Sequence, residues 1–215
     1  MFPDSTLYNK RIPKQKFYEK LKANSRLERQ FTAEIESIYW KNKLSPETLN
    51  ISAGKKVKEI ELFEVKLKEQ KLSNNIIEII DREIPYHIVF MLRFKDLVQY
   101  RVSYKESSRN REGKFKVESY YYTDWGKDSN AFLSINGLDL DKVYENFILQ
   151  IAGGKLQIGE TADLKEAVTV AKEQDKLQAQ IQRLENKIAK EKQFNRQVKL
   201  MGELRNLKSR LNESI

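Results

Sequence analysis

The chain has 215 residues with a formal net charge of +9, and 33% of its residues are charged. That length suits one ordinary domain with an extension, and the high charged fraction favours an elongated part. The absence of cysteine excludes a disulfide scaffold and thiolate metal sites, and no apolar segment is long enough for a membrane span. We therefore expect a cytoplasmic protein that has no metal site, no cofactor and no membrane partner.

The N-terminal segment predicts two helices. Pro13 suits the first turn of a helix. Leu27, Phe31, Ile35 and Ile38 then form an apolar stripe at helical spacing. The second helix is therefore predicted to include both isoleucines.

The central segment predicts a sheet with helices packed on it. The predicted strands are 57–69, 86–94, 97–106 and 114–125, and the predicted helices are 73–84 and 139–153. Strand 86–94 is apolar on both faces, which favours a central position in the sheet. The apolar phase changes at Leu62 and Phe63, which predicts a β-bulge in that strand. The fold class is thus α+β, with a mostly antiparallel sheet and a long C-terminal coiled-coil helix.

The C-terminal part has one long helical pattern over 163–213, because it lacks proline and carries an apolar stripe at coiled-coil spacing. The sequence leaves open whether the helix is continuous through Gly202, which marks a possible bend. Residues 1–152 are then a globular α+β domain, 153–162 a glycine-rich linker and 163–215 a helical tail. The stripe, which we call the seam, predicts a partner-binding face. Its residues are Leu177, Ile181, Leu184, Ile188, Leu200, Leu204, Leu207 and Leu211.

The seam is interrupted where its next two positions hold Glu191 and Asn195. Three explanations stay open: a polar register device in a coiled coil, a partner contact and a DNA contact. Residues 187–210 include eight basic and two acidic residues, which attract a polyanion or an acidic partner. The residues predicted to make that contact are Lys190, Lys192, Phe194 and Arg196.

One strand carries a candidate catalytic motif, Glu64-Val65-Lys66. In Mg²⁺-dependent nucleases of the restriction type, a glutamate of such a motif ligates the metal and the lysine orients the attacking water. A further acidic ligand is needed, and Glu59 is a candidate. Alternating charges on an exposed strand give the same pattern, so the motif alone does not establish catalysis. His87, the single histidine, predicts a buried strand residue.

Several stretches in order resemble a bacterial family, domain of unknown function 4391. They include STLYNKRIPKQKFYEKL, IYWKNKLSPETLNI, EIELFEVKL, YYYTDW, DLDKVYENFILQIAG and KEKQFNRQVKLMGELRNLK, and they extend from about Thr6 to Leu207. The family has no assigned reaction, so the resemblance implies no catalytic residue. It implies a gene neighbourhood with a helicase and a site-specific DNA methyltransferase, and hence a role in DNA modification or anti-phage defence.

These observations favour a non-catalytic accessory subunit over an enzyme. The tail would dock a helicase or methyltransferase, or a second copy of the chain, and its basic residues would contact DNA. The alternatives are a Mg²⁺-dependent nuclease that uses Glu59, Glu64 and Lys66, and a basic nucleic-acid-binding protein.

Overall fold

The chain folds into two units, residues 1–153 and residues 154–215, which we call the sheet unit and the hairpin unit. The structure is a computed structural model that describes residues 2–21, 24–107, 115–128, 133–156 and 163–213. Most of the predicted linker, residues 157–162, lies outside the described residues.

The sheet unit consists of a seven-stranded sheet with helices packed on it, over the described residues. The strands are β1 Leu7–Ile12, β2 Ile35–Leu44, β3 Ile60–Leu67, β4 His87–Phe94, β5 Leu97–Ser107, β6 Phe115–Tyr122 and β7 Gly126–Lys127. The helices are α1 Lys14–Leu21, α2 Ser25–Glu34, α3 Pro46–Leu49, α4 Asn74–Glu83 and α5 Leu140–Ala152.

The strands follow one another across the sheet in the order β1 to β6, and β7 pairs with β5. Neighbouring strands are antiparallel except β3 and β4, which run parallel. A parallel pair needs a crossover connection, and α4 lies in that connection. The structure therefore confirms the predicted α+β fold with a mostly antiparallel sheet. It also confirms the central position of β4, which lies between β3 and β5.

Helices cover both faces of the sheet. On one face, Phe31 of α2 and Ile76 of α4 belong to a buried cluster with Phe63 and Val65 of β3. We call this the α4 face. On the other face α5 packs against β5, where the Tyr144 hydroxyl donates a 2.7 Å hydrogen bond to the Ser103 carbonyl. Apolar burial on both faces is the main stabilising term for such an arrangement.

The second predicted helix is shorter than expected, because α2 ends at Glu34 and Ile35 begins β2. Asn24 caps this helix by accepting a hydrogen bond from the Leu27 N–H. The isoleucines were assigned to the wrong element: Ile38 lies opposite Val65 in the sheet. The segment that follows is rich in β-branched and aromatic residues, whose packing on a pleated surface outweighs the helical spacing.

The predicted bulge was placed on the wrong strand. The β3–β4 register is continuous through Leu62 and Phe63, and both residues are buried because helices cover both faces. The register shift lies on β2, where Trp40 is opposite Phe63 and Asn42 is opposite Leu62.

The hairpin unit contains two helices, α6 Leu164–Lys190 and α7 Phe194–Glu213, joined at residues 191–193. The segment 163–213 is helical as predicted except at this junction, and α7 is continuous through Gly202, where the sequence left continuity open. The two helices pack against each other as a helical hairpin. No helix among the described residues combines the length and the apolar character required to cross a membrane.

Candidate functional site

The break between α6 and α7 is formed by Glu191, one of the two polar residues that interrupt the seam. Its carboxylate accepts hydrogen bonds from the backbone N–H groups of Lys192 at 3.0 Å and Gln193 at 3.1 Å. A carboxylate at a helix N-terminus interacts favourably with the helix dipole, and here it lies beside the start of α7. Arg196 approaches the same carboxylate at 3.8 Å. The interruption of the seam therefore marks a turn.

The seam residues lie between α6 and α7, which pack against each other in the hairpin. Ile181, Ile188 and Leu200 are buried. The others are half-buried: Leu177, Leu184, Leu204, Leu207 and Leu211. An ion pair of 2.8 Å between Lys208 of α7 and Glu185 of α6 also joins the helices. The apolar spacing thus reflects internal packing between two helices of one chain.

Asn195 does not lie in the seam. It is exposed in the first turn of α7, so the interpretation of this residue as a register device is wrong. The four residues predicted to contact a partner or DNA also lie at the turn. All four are exposed: Lys190, Lys192, Phe194 and Arg196.

An apolar stripe runs along the outside of α7 from the turn. Phe194, Val198 and Met201 are 74%, 52% and 46% exposed, and their spacing of four and three places them on one helix face. We call this stripe, together with Lys190, Lys192 and Arg196, the turn surface. Sequence reasoning identified Phe194 but missed Val198 and Met201. The signal was a second apolar periodicity out of phase with the seam.

The turn surface is strongly basic. Residues 186–200 include five basic residues and one acidic residue, Glu191. One carboxylate offsets only one of these five cations, and the Glu191 carboxylate lies beside Arg196. The arrangement can bind an acidic surface that also presents an apolar patch.

The Glu64-Val65-Lys66 motif lies on β3, with Glu64 and Lys66 on the face opposite the α4 face. Glu64 is 5% exposed, and its carboxylate lies 3.6 Å from Arg93 Nε and 4.0 Å from Lys41 Nζ. Lys66 Nζ lies 5.4 Å from the centre of the Tyr39 ring. Glu64 is therefore compensated by two protein cations, which a metal ion would have to displace.

Glu59 does not join Glu64. Side chains alternate along a strand, so Glu61 and Glu64, three positions apart, lie on opposite faces of β3. The Glu59 carboxylate interacts with Glu61 and pairs with Lys43 at 2.9 Å, which places it on the α4 face. The grouping of Glu59 with Glu64 as metal ligands is therefore wrong. Among the described residues, no three His, Asp or Glu side chains are arranged to hold a metal ion.

His87 is buried at the start of β4, as predicted, with 4% of its surface exposed. Its ring centre lies 4.7 Å from that of Phe115 and 4.6 Å from that of Tyr144. Burial lowers the pKa of His87 to about 3, so the ring is neutral at physiological pH. The residue packs between aromatic rings, and among the described residues no carboxylate forms a hydrogen bond or ion pair with it of the kind that a catalytic histidine uses.

The fold and these sites define a two-unit α+β protein with a seven-stranded sheet and a helical hairpin among the described residues. The family described as Domain of unknown function (DUF4391) matches residues 1–211, so the chain belongs to that family. No curated protein and no solved structure gives a significant match to the chain.

Proposed function

We propose that this protein is a non-catalytic accessory subunit that docks an acidic partner protein through the turn surface of its hairpin. The exposed stripe of Phe194, Val198 and Met201 is the observation that carries the proposal. Contiguous exposed apolar residues with a polar rim are typical of interaction sites. The seam is not proposed as the docking face, because it is engaged between α6 and α7.

The chemistry of the stripe favours a protein over a nucleic acid. Phosphate groups bind Lys and Arg but do not bury a row of Phe, Val and Met side chains. An aromatic residue at the centre of a desolvated patch with surrounding cations is the usual composition of a binding hot spot. The partner should therefore present an apolar groove bordered by Asp and Glu.

The gene neighbourhood that the family resemblance implies suggests a helicase or a DNA methyltransferase as this partner. In that role the protein would belong to a bacterial DNA-modification or anti-phage defence system. The Mg²⁺-dependent nuclease has weaker support, since Glu59 and Glu64 lie on opposite faces and Arg93 and Lys41 compensate Glu64. The remaining alternative is a basic nucleic-acid-binding protein, and the titration with DNA tests it.

Calorimetric titration of the full-length chain with a purified helicase and a purified methyltransferase from the gene neighbourhood that the resemblance implies tests the proposal. Phe194→Asp and Val198→Asp should each weaken binding at least tenfold. Leu138→Asp is the matched control, because Leu138 is 90% exposed and lies in the sheet unit. It should leave the affinity unchanged.

Duplex DNA serves as the competing ligand in the same series. Tight, salt-dependent DNA binding that is insensitive to Phe194→Asp but lost in Lys190→Ala with Lys192→Ala would replace the docking proposal with nucleic-acid binding. Binding to neither the two proteins nor DNA would reject the proposed function.

A further inference from the structure

A cavity of about 480 Å³ lies on the α4 face, far in sequence from the hairpin unit. Its walls come from β1, β2, β3, α1 and the segment between α4 and β4. Its volume lies in the range that small-molecule sites occupy. The residues that give it chemical character are Tyr8, Lys10, Lys16, Trp40, Glu61 and Tyr86.

Aromatic rings form much of the wall. The ring centres of Tyr8 and Trp40 lie 4.3 Å apart at an angle of 45°. Tyr86 is 41% exposed and lines the same cavity. Such rings offer π-faces to a planar aromatic ligand, and stacking of this kind accepts any heterocyclic base.

The cavity also carries positive charge. Lys10 and Lys16 are exposed and line it, and neither pairs with a carboxylate among the described residues. Lys10 is opposite Trp40 in the sheet, and its Nζ lies 4.3 Å from the centre of the Tyr8 ring. Guanidinium and ammonium groups are the usual protein ligands of phosphate. A ligand for this cavity should therefore carry an anionic group.

Glu61 supplies a buried polar group in the cavity wall. Its side chain is 1% exposed, and within the described parts of the chain neither carboxyl oxygen receives a hydrogen bond from an N–H or O–H group. Burial and the adjacent Glu59 carboxylate raise the pKa of Glu61 to about 9, so the group is a neutral acid at physiological pH. Its proton can be donated to Glu59, which leaves an oxygen free to accept a hydrogen bond from a ligand.

We propose that this cavity binds a nucleotide, with the base against Tyr8, Trp40 and Tyr86, its N–H edge toward Glu61 and its phosphate on Lys10 and Lys16. The same chemistry fits a free nucleoside monophosphate and one nucleotide unit of a single strand. The proposal is independent of docking through the turn surface, because the cavity and that surface share no residue.

Tryptophan fluorescence provides the readout. The chain has two tryptophans, so Trp125→Phe leaves Trp40 as the reporter within an otherwise complete protein. We expect adenosine and guanosine monophosphates to change the fluorescence saturably. Ribose 5-phosphate, which lacks the base, and adenosine, which lacks the phosphate, should bind at least tenfold more weakly. A hexanucleotide of deoxyadenosine that binds at least tenfold more tightly than the monophosphate would identify single strands as the source of the nucleotide.

Variants separate the contributions to binding. Lys10→Ala with Lys16→Ala should weaken binding at least tenfold, whereas Lys71→Ala, a loss of charge outside the cavity, should not. Glu61→Gln keeps a donor and an acceptor and should retain most of the affinity, whereas Glu61→Leu should lose it. Circular dichroism establishes that each variant is folded. No saturable signal with any nucleotide at millimolar concentration, or equal affinity for ribose 5-phosphate, would overturn the proposal.

Discussion

The ammonium group of Lys105 lies 2.7 Å from Oδ1 of Asp81, and both side chains are shielded almost completely from solvent. The same ammonium group donates to the carbonyl oxygens of Asp81 at 3.2 Å and Tyr86 at 2.9 Å. The Tyr120 hydroxyl donates to the other carboxylate oxygen of Asp81 at 3.2 Å. The pair connects α4 to β5, and Tyr120 extends the connection to β6. Lys105 also holds the carbonyl of Tyr86, in the segment between α4 and β4 that lines the cavity.

Replacing Lys105 with methionine should lower the free energy of unfolding by about 3–5 kcal/mol, because Asp81 would remain buried without its cation. Urea denaturation measures the change. Lys208→Met is the matched control: its partner Glu185 is partly exposed, and an exposed pair contributes less than about 1 kcal/mol. The double variant Lys105→Met with Asp81→Leu should lose less stability than Lys105→Met alone. Equal losses for Lys105→Met and Lys208→Met would contradict the importance of the buried pair.

Asp141 anchors the loop before β3. Its carboxylate accepts hydrogen bonds from the N–H groups of Lys55 at 2.8 Å, Lys56 at 3.0 Å and Val57 at 2.7 Å. Asp141→Asn should lower the free energy of unfolding by about 2 kcal/mol, because an amide oxygen is a weaker acceptor than a carboxylate for these donors. Asp139→Asn should have little effect, since Asn caps helix α5 as well as Asp does. Thermal unfolding of both variants provides the comparison, and similar losses would rule out the anchoring role.

Local patterns predicted the elements whose burial follows from their own sequence. Strand β4 is apolar on both faces and is central, and the helix over 74–83 and the helix over 140–152 appear where their stripes indicate. The sequence patterns failed where a helix and a strand are both compatible with the same spacing of apolar residues. Leu27, Phe31, Ile35 and Ile38 fit a helix, but the last two are held in β2 by pairing with Leu67 and Val65 of β3, which lie 32 and 27 residues further along the chain.

The turn at 191–193 was missed for a related reason. It contains neither Gly nor Pro, and the chain reverses there because Leu200 finds apolar partners on α6. Such a contact between helices is not visible in a short stretch of sequence.

The cavity on the α4 face was missed as well. Lys10, Trp40 and Glu61 come from three strands, and only the register of the sheet brings them together.

The buried acid Glu61 should make stability depend on pH. Its pKa is about 9 in the folded protein against an ordinary value of 4.5, so the folded state holds the proton more tightly than the unfolded state. The stabilisation is complete below about pH 4.5 and is lost as pH rises towards 9. For one proton the slope is at most about 1.4 kcal/mol per pH unit. Glu61→Gln should remove this decline, so that the variant gains stability relative to the wild type between pH 5 and pH 9. Urea denaturation across that range gives the comparison, and parallel profiles would mean that Glu61 is not buried as a neutral acid.

The helical hairpin predicts a short distance between α6 and α7. Gln180 and Asn206 line one groove between the two helices. The chain has no cysteine, so Gln180→Cys with Asn206→Cys provides a unique pair of sites for spin labels. Packed helices lie about 8–10 Å apart between their axes, so the labels should lie within roughly 20 Å of each other. One continuous helix would separate these positions by about 39 Å, at about 1.5 Å for each of 26 residues. Pulsed electron paramagnetic resonance distinguishes these distances.

Leu200→Asp should lengthen the distance by removing the buried leucine, whereas Lys199→Ala, next to it on the exposed surface, should not. A long distance in the otherwise unaltered chain would show that the seam is open to another partner, and the turn surface would then cease to be the docking face.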